Sequence, residues 1–146
     1  MGNISKVTVR VATADVEGAG TTGEVYLGVA GMEFKVNSTA SGDYEAGSDR
    51  TYVLGDDAGV HQTPDEEARY GLAFADRNDP RITTMERAAH HPVYVRMHPV
   101  GEGHEWLACL VSVAVEGHDD PPQKYHWDAD PGRWLGCEYG LTVHLD

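Results

Sequence analysis

Short segments in which apolar and polar residues alternate constrain the fold of this 146-residue chain more than any other feature. In the first of them Val7, Val9 and Val11 alternate with polar residues, which is the period of a strand with one buried face. Similar segments follow at 25–29, 32–36, 50–54, 92–97, 106–115, 124–127 and 140–144. About eight short strands separated by turn residues predict an all-β protein, an antiparallel β-sandwich, folded as a single domain over residues 1–146.

The apolar positions of these segments predict the core. Ala30-Gly31 separates two of the strands and predicts a tight hairpin turn. The tryptophans lie in or beside strand segments and are expected to anchor the core. The residues predicted to be mostly buried are Val7, Val9, Val11, Tyr26, Phe34, Trp106, Leu110 and Trp134.

Residues 56–90 interrupt the strand pattern. Two capping boxes, TPDE from Thr63 and TTME from Thr83, predict short helices that start near Pro64 and Thr84. Neither segment is long enough to form a stable helix alone, so each is expected to pack on the sandwich. The chain is therefore predicted to carry a partly helical insert at about 56–90.

Charge and composition exclude some partners. The formal net charge is −13, so nucleic acid is not expected to bind, and an anionic membrane is a poor partner unless calcium bridges the two surfaces. The first residues contain no apolar segment typical of a signal peptide. The two cysteines, Cys109 and Cys137, are predicted to be reduced core thiols, although a single disulfide stays open. We therefore expect a cytoplasmic protein.

The order of several short motifs resembles the PLAT/LH2 family, whose sandwich module occurs in lipoxygenases, alpha-toxin, some lipases and polycystins. The family opens with a strand, a Thr-Gly-Asp, a Gly-Ala-Gly-Thr-Asp loop and a Val-Tyr strand that continues with Ile or Leu. It then has an acidic-aromatic-Glu element and a Thr-Phe, later a strand ending in His-Asp and a tryptophan that opens a long strand, and it closes with Trp-Leu. The matching residues here are Thr13-Ala14-Asp15, Gly18-Ala19-Gly20-Thr21-Thr22, Val25-Tyr26-Leu27, Asp43-Tyr44-Glu45, Thr51-Tyr52, His98, Trp106 and Trp134-Leu135.

The resemblance implies that the Gly-Ala-Gly-Thr loop and the Asp-Tyr-Glu segment meet at one end of the sandwich, where calcium-binding members hold the ion. Calcium takes six to eight oxygen ligands, and glycines let main-chain carbonyls turn toward it. Thr22 and Pro99 stand where the family has aspartates, which weakens the expected binding. The candidate calcium ligands are Glu17, Gly18, Gly20, Thr22, Asp43 and Glu45. The alternative is a loop that only turns the chain.

Two functions remain open on this basis. The first is a stand-alone, non-catalytic binding module that docks on a protein partner or an apolar or lipid ligand, with calcium as a modulator, acting in trans or as a homo-oligomer. The second is a small biosynthetic enzyme with a pocket between the sandwich and the 56–90 insert. An enzyme is the less favoured of the two, because no nucleophile motif is present. The residues that would line its pocket are His61, Tyr70, His90 and His91.

Overall fold

A computed structural model describes residues 2–36, 44–55, 72–74, 80–99, 105–136 and 140–146. The strands are β1 Ile4–Thr13, β2 Glu24–Val29, β3 Met32–Lys35, β4 Asp49–Gly55, β5 Leu72–Phe74, β6 Tyr94–His98, β7 Trp106–Gly117, β8 Gln123–Leu135 and β9 Thr142–His144. Among the described residues, the 3-10 turn Pro80–Ile82 and the α-helix α1, Met85–His90, precede β6.

The strands form two sheets. One has five strands in the order β5-β4-β1-β7-β8, and the other has four in the order β3-β2-β6-β9. Neighbouring strands are antiparallel except β4 and β5. The all-β sandwich predicted from the sequence is therefore confirmed, and the described residues add a ninth, three-residue strand, β5, within the insert that was predicted to be partly helical.

The core lies between the two sheets and takes residues from both. Val7, Val9 and Val11 are buried as predicted, and so are Phe34 and Trp106. Val25 and Leu27 of β2 face them from the second sheet. The predicted hairpin turn at Ala30-Gly31 is also present, and both of its residues have positive φ values, 57° and 77°.

Three residues predicted in the core are only half-buried: Tyr26, Leu110 and Trp134. Tyr26 points to the outer face of β2, because Val25 and Leu27 occupy the inner face.

Leu110 and Trp134 each differ from the prediction for another reason. A register irregularity between β7 and β8 interrupts the alternation between Ala108 and Leu110, so Val111 rather than Leu110 faces the core. Trp134 packs on a smaller cluster outside the core.

The predicted helix near Thr84 is confirmed, with its cap shifted by one residue. The Thr84 side chain, and not that of Thr83, accepts a hydrogen bond of 3.2 Å from the backbone N–H of Arg87. Thr83 is instead buried, and its backbone carbonyl accepts a hydrogen bond from Ile4 N–H at the start of β1. The predicted helix near Pro64 lies outside the described residues. No helix in the described ranges is long and apolar enough to cross a bilayer.

Candidate functional site

Two connections meet at the end of the sandwich where β1 finishes: the opening loop, residues 14–23, and the 44–48 turn that precedes β4. Three backbone hydrogen bonds join them. The Thr13 N–H donates to the Ser48 carbonyl at 2.9 Å, and the Gly47 N–H donates to the Ala14 carbonyl at 3.1 Å. The Thr21 N–H donates to the Tyr44 carbonyl at 3.0 Å. We refer to residues 14–23 and 44–48 together as the loop end. The meeting of the two segments agrees with the expectation that the family resemblance raised.

Gly20 has a steric role at this contact. A Cβ atom built on Gly20 would lie 2.9 Å from the Ala46 nitrogen, 3.0 Å from the Tyr44 oxygen and 3.1 Å from Glu45 Cα. These are main-chain positions that cannot move aside without shifting the 44–48 turn. Gly20 is therefore needed so that the two backbones can approach each other, whether or not an ion binds there.

An aromatic cluster lies under the loop end. Trp106 is fully buried, and its indole N–H donates a 2.8 Å hydrogen bond to the Thr13 hydroxyl. The Tyr44 ring meets the Trp106 ring edge-on at 5.3 Å between centroids and stacks on Tyr52 at 6.0 Å. The Tyr44 hydroxyl donates to the carbonyl of Val36. These contacts fix the last residue of β1 and the first residue of the turn relative to the core.

The opening loop is also fastened to the outer face of β7. Leu107 N–H donates to the Ala19 carbonyl at 2.9 Å, and Ala14 N–H donates to the Leu107 carbonyl at 3.0 Å. Ala14, Ala19 and Leu107 form a buried cluster that Cys109 and Trp134 cover in part. Burial raises the pKa of the Cys109 thiol above its ordinary value, as expected for a structural rather than a reactive cysteine.

The surface of the loop end is acidic and has an apolar tip. Asp15, Glu17 and Glu45 are exposed, and neither segment contains a lysine or arginine. Val16, which lies between two of these carboxylates, is 45% exposed. Among the residues whose side chains the structure describes, Ile82 is the other exposed large hydrophobic residue.

The described residues include all of the predicted calcium ligands except Asp43. Glu17, Gly18 and Thr22 are exposed in the opening loop, whereas Gly20 packs against the turn that carries Glu45. Asp43 lies outside the described residues. Within the described ranges no three histidine, cysteine or acidic side chains are close enough to hold a metal ion. The calcium site therefore stays a prediction.

Asp15 is an acidic residue that the predicted ligand set lacked. A Cβ atom built on Gly47 would lie 3.0 Å from Asp15 Oδ1, so this carboxylate lies against the 44–48 turn. Asp15 belongs to the Thr13-Ala14-Asp15 triplet that carries the family resemblance, and this position in the sequence could have pointed to it as a residue of the loop end.

The residues of the alternative enzyme pocket are described only in part. His90 and His91 are exposed at the end of α1, near the start of β1 and therefore at the opposite end from the opening loop. His90 Nδ1 lies 2.7 Å from the Glu86 carbonyl oxygen, and the His91 ring lies over Gly31. His61 and Tyr70 fall outside the described residues, so the predicted pocket stays a prediction.

A second organised group, which the sequence did not signal, covers the outer face of the four-stranded sheet. Arg96 donates to both carboxylate oxygens of Glu33, from Nε at 2.9 Å and from a terminal nitrogen at 2.8 Å. The Tyr94 hydroxyl donates to the same carboxylate at 2.8 Å. These hydrogen bonds, that of Arg96 first, hold the pKa of Glu33 below its ordinary value. The guanidinium of Arg96 also lies 4.6 Å from the centre of the Tyr26 ring.

The structure is a two-layer β-sandwich in which the connections from β1 to β2 and into β4 are joined at one end. No family model matches the sequence, and no curated protein matches it significantly.

Solved structures match the fold. The alpha-toxin from Clostridium absonum is 18% identical with a TM-score of 0.62, and the match covers 99% of this chain and 32% of the toxin. The alpha-toxin from an avian strain of Clostridium perfringens is 16% identical with a TM-score of 0.59 and the same coverage.

Coral 8R-lipoxygenase, whose structure is described in terms of calcium activation via a C2-like domain, is 18% identical with a TM-score of 0.57. That match covers 97% of this chain and 16% of the enzyme, so the chain spans only a small part of each of these proteins. The resemblance to PLAT/LH2 domains is thereby confirmed at the level of the fold.

Proposed function

We propose that this chain is a binding module that docks its loop end on a lipid surface and uses calcium to do so. The observation that carries the proposal is the exposure of Val16 at the tip of a loop that backbone hydrogen bonds hold in place. An apolar side chain presented by an ordered loop can enter a lipid interface at little cost in conformational entropy.

The charge of the loop end supports a role for calcium. Asp15 and Glu17 flank Val16 in the sequence and Glu45 is exposed on the 44–48 turn, in a protein whose net charge is −13, so an anionic membrane would repel this end. A calcium ion held by the predicted ligands Asp43 and Glu45 and by nearby main-chain carbonyls would remove part of that repulsion and bridge to lipid phosphates. The calcium activation described for coral 8R-lipoxygenase, which acts via a C2-like domain, points the same way.

Vesicle sedimentation tests the docking surface. We expect the protein to sediment with phosphatidylcholine vesicles that contain phosphatidylserine in the presence of millimolar calcium, and to stay in solution when a chelator is added. Val16→Asp should abolish sedimentation. Ile82→Asp is the matched control, because Ile82 is 70% exposed but lies at the opposite end of the sandwich. Equal loss in both variants, or no sedimentation with calcium, would contradict lipid docking and leave a protein partner as the better explanation.

Thermal melting tests the ion separately. A ligand that binds only the folded state stabilises it by RT ln(1 + [L]/Kd), so calcium should raise the melting temperature. Asp43→Asn and Glu45→Gln should each remove most of that rise, whereas Asp119→Asn, a neutralisation of an exposed carboxylate on another connection, should not. If the wild type does not respond and Thr22→Asp does, the geometry of the site is intact and the missing charge is the cause. No response in either protein would eliminate calcium from the proposal.

A further inference from the structure

The outer face of the four-stranded sheet contains a tyrosine ring laid flat on the backbone. Gly28 of β2 and Tyr94 of β6 are directly opposite each other in the register. A Cβ atom built on Gly28 would lie 2.1 to 2.6 Å from three atoms of the Tyr94 ring, so only glycine fits beneath it. Gly28 is buried, while Tyr94 is only half-buried. One face of the ring therefore rests on the sheet and the opposite face is turned outward.

Planar polar groups border this ring on two sides. On one side Glu33 accepts the hydrogen bond of the Tyr94 hydroxyl and the two hydrogen bonds of Arg96. On the other side His144 of β9 lies 5.8 Å from the ring, centroid to centroid, and is exposed. The ring and its neighbours thus hold fixed positions before any ligand arrives, which reduces the entropy lost on binding.

Among the described residues of this face the acidic and basic side chains balance, although the whole chain is strongly acidic. Its two glutamates, Glu24 and Glu33, each form an ion pair with one basic residue, Lys35 at 3.1 Å and Arg96 at 2.8 Å. The sum of these four charges is zero, against −13 for the chain. A face whose formal charges cancel suits an uncharged ligand better than a phosphate, a metal ion or a strongly charged protein surface.

We propose that this face binds a neutral polysaccharide. The flat C–H face of a sugar ring can stack on the half-exposed Tyr94 ring, and the hydroxyl groups around the sugar can find hydrogen-bond partners in Arg96, Glu33 and His144. The four strands span roughly 14 Å across the sheet, which is room for a few sugar units. A proline-rich peptide, the other common ligand of exposed aromatic rings, requires a groove lined by several of them. This proposal does not depend on lipid docking at the loop end.

Affinity electrophoresis tests the proposal. The wild-type protein is run in native gels that contain mixed-linkage β-glucan, glycogen, glucomannan or xylan, and we expect at least one of them to retard it. Tyr94→Ala should weaken binding roughly tenfold, because the stacking surface is lost. Arg96→Lys should also weaken it, since lysine cannot reproduce the two-pronged contact with Glu33.

Arg10→Lys is the matched control. Arg10 makes the same two-pronged pair with Asp49, at 2.9 and 2.6 Å, but on the outer face of the other sheet. It should leave retardation unchanged. Melting curves and amide NMR spectra of the Tyr94→Ala variant show whether the sheet is intact. Tyr94→Phe is the second variant: it keeps the ring and should therefore retain most of the binding. If Tyr94→Ala does not fold, the test rests on Tyr94→Phe and Arg96→Lys.

Two results would overturn the proposal. One is the absence of retardation by all four polysaccharides. The other is retardation that the Tyr94 and Arg96 variants leave unchanged. Either would mean that the packing of Tyr94 on Gly28 only stabilises the pairing of β2 with β6.

Discussion

The hydrogen bond between Trp106 and Thr13 connects the core to the loop end, and its contribution to stability can be measured. The indole N–H donates to the threonine hydroxyl at 2.8 Å, and both residues are buried, at 0% and 3% exposure. Thr13 is the last residue of β1, and the opening loop begins at the next position. Loss of this bond should therefore destabilise the domain and loosen the loop end.

The structure allows the size of the effect to be worked out. Trp106→Phe removes the donor and leaves a buried hydroxyl with one bond fewer, at a cost of about 1–3 kcal/mol. The smaller ring leaves a cavity that adds roughly 1 kcal/mol. The free energy of unfolding should fall by about 2–4 kcal/mol, and a domain of this size loses roughly 2–4 °C of melting temperature per kcal/mol. Thr13→Val should cost about 1–3 kcal/mol, because the indole N–H is then buried without an acceptor.

A double-mutant cycle by urea unfolding isolates the hydrogen bond. When both polar partners are removed, neither is left unsatisfied, so the double variant should be more stable than the sum of the two single changes predicts, by about 1–2 kcal/mol. Additivity within about 0.5 kcal/mol would refute the reasoning, because it would mean that the hydrogen bond between the Trp106 and Thr13 side chains adds nothing to packing. Faster amide exchange at Ala14 in the single variants would show that the loop end loosens with the bond.

Three further perturbations follow from the geometry. Gly20→Ala should lower the free energy of unfolding by about 1–3 kcal/mol, because the new methyl group overpacks against the 44–48 turn. Gly18 has φ at +82° but open space around it, so Gly18→Ala should cost only about 1–2 kcal/mol through its backbone conformation. Urea unfolding that ranks the two variants in reverse would contradict the steric role of Gly20. Ala30→Val should lose about 2–4 kcal/mol, because a branched side chain must adopt φ near 57° in a buried turn, while Ala30→Gly should change melting by little. Because the pKa of Glu33 is lowered from its ordinary value of 4.5, the ionised carboxylate stabilises the fold above about pH 4.5, and this stabilisation is lost as the pH falls further. Glu33→Gln should therefore make the stability less dependent on pH below about pH 4.5. An unchanged pH dependence would argue against the ion pair.

The alternation of apolar residues predicts most of the fold because burial of one sheet face is a local property of each strand. The valines of β1 and the Ala30-Gly31 turn are where the pattern predicts them. Leu110 is half-buried instead of buried, because regular alternation predicts its face only where the strand is unbroken. The irregularity near Ala108 depends on how β8 pairs with β7, which a local pattern does not contain.

The site was predictable to a smaller extent for a related reason. That the opening loop and the 44–48 turn meet followed from the family resemblance. The contact of Asp15 with Gly47 and the stacking of Tyr94 on Gly28 both depend on register between segments that are distant in sequence. A single sequence shows which residues are glycine or aromatic, but it does not show which of them face each other.

The steric role of Gly20 changes how calcium should act at the loop end. Backbone hydrogen bonds fasten the opening loop to β7 and to the 44–48 turn with no ion involved, so an ion has little left to order. The case for calcium therefore rests on the predicted carboxylate ligands Asp43 and Glu45 and not on the glycines. An ion that neutralises carboxylates on a prearranged loop should raise the affinity for anionic vesicles steeply while it raises the melting temperature only modestly. The opposite pattern, a large rise in melting temperature with little change in vesicle binding, would mean that calcium completes the fold of this end and that the docking surface lies elsewhere.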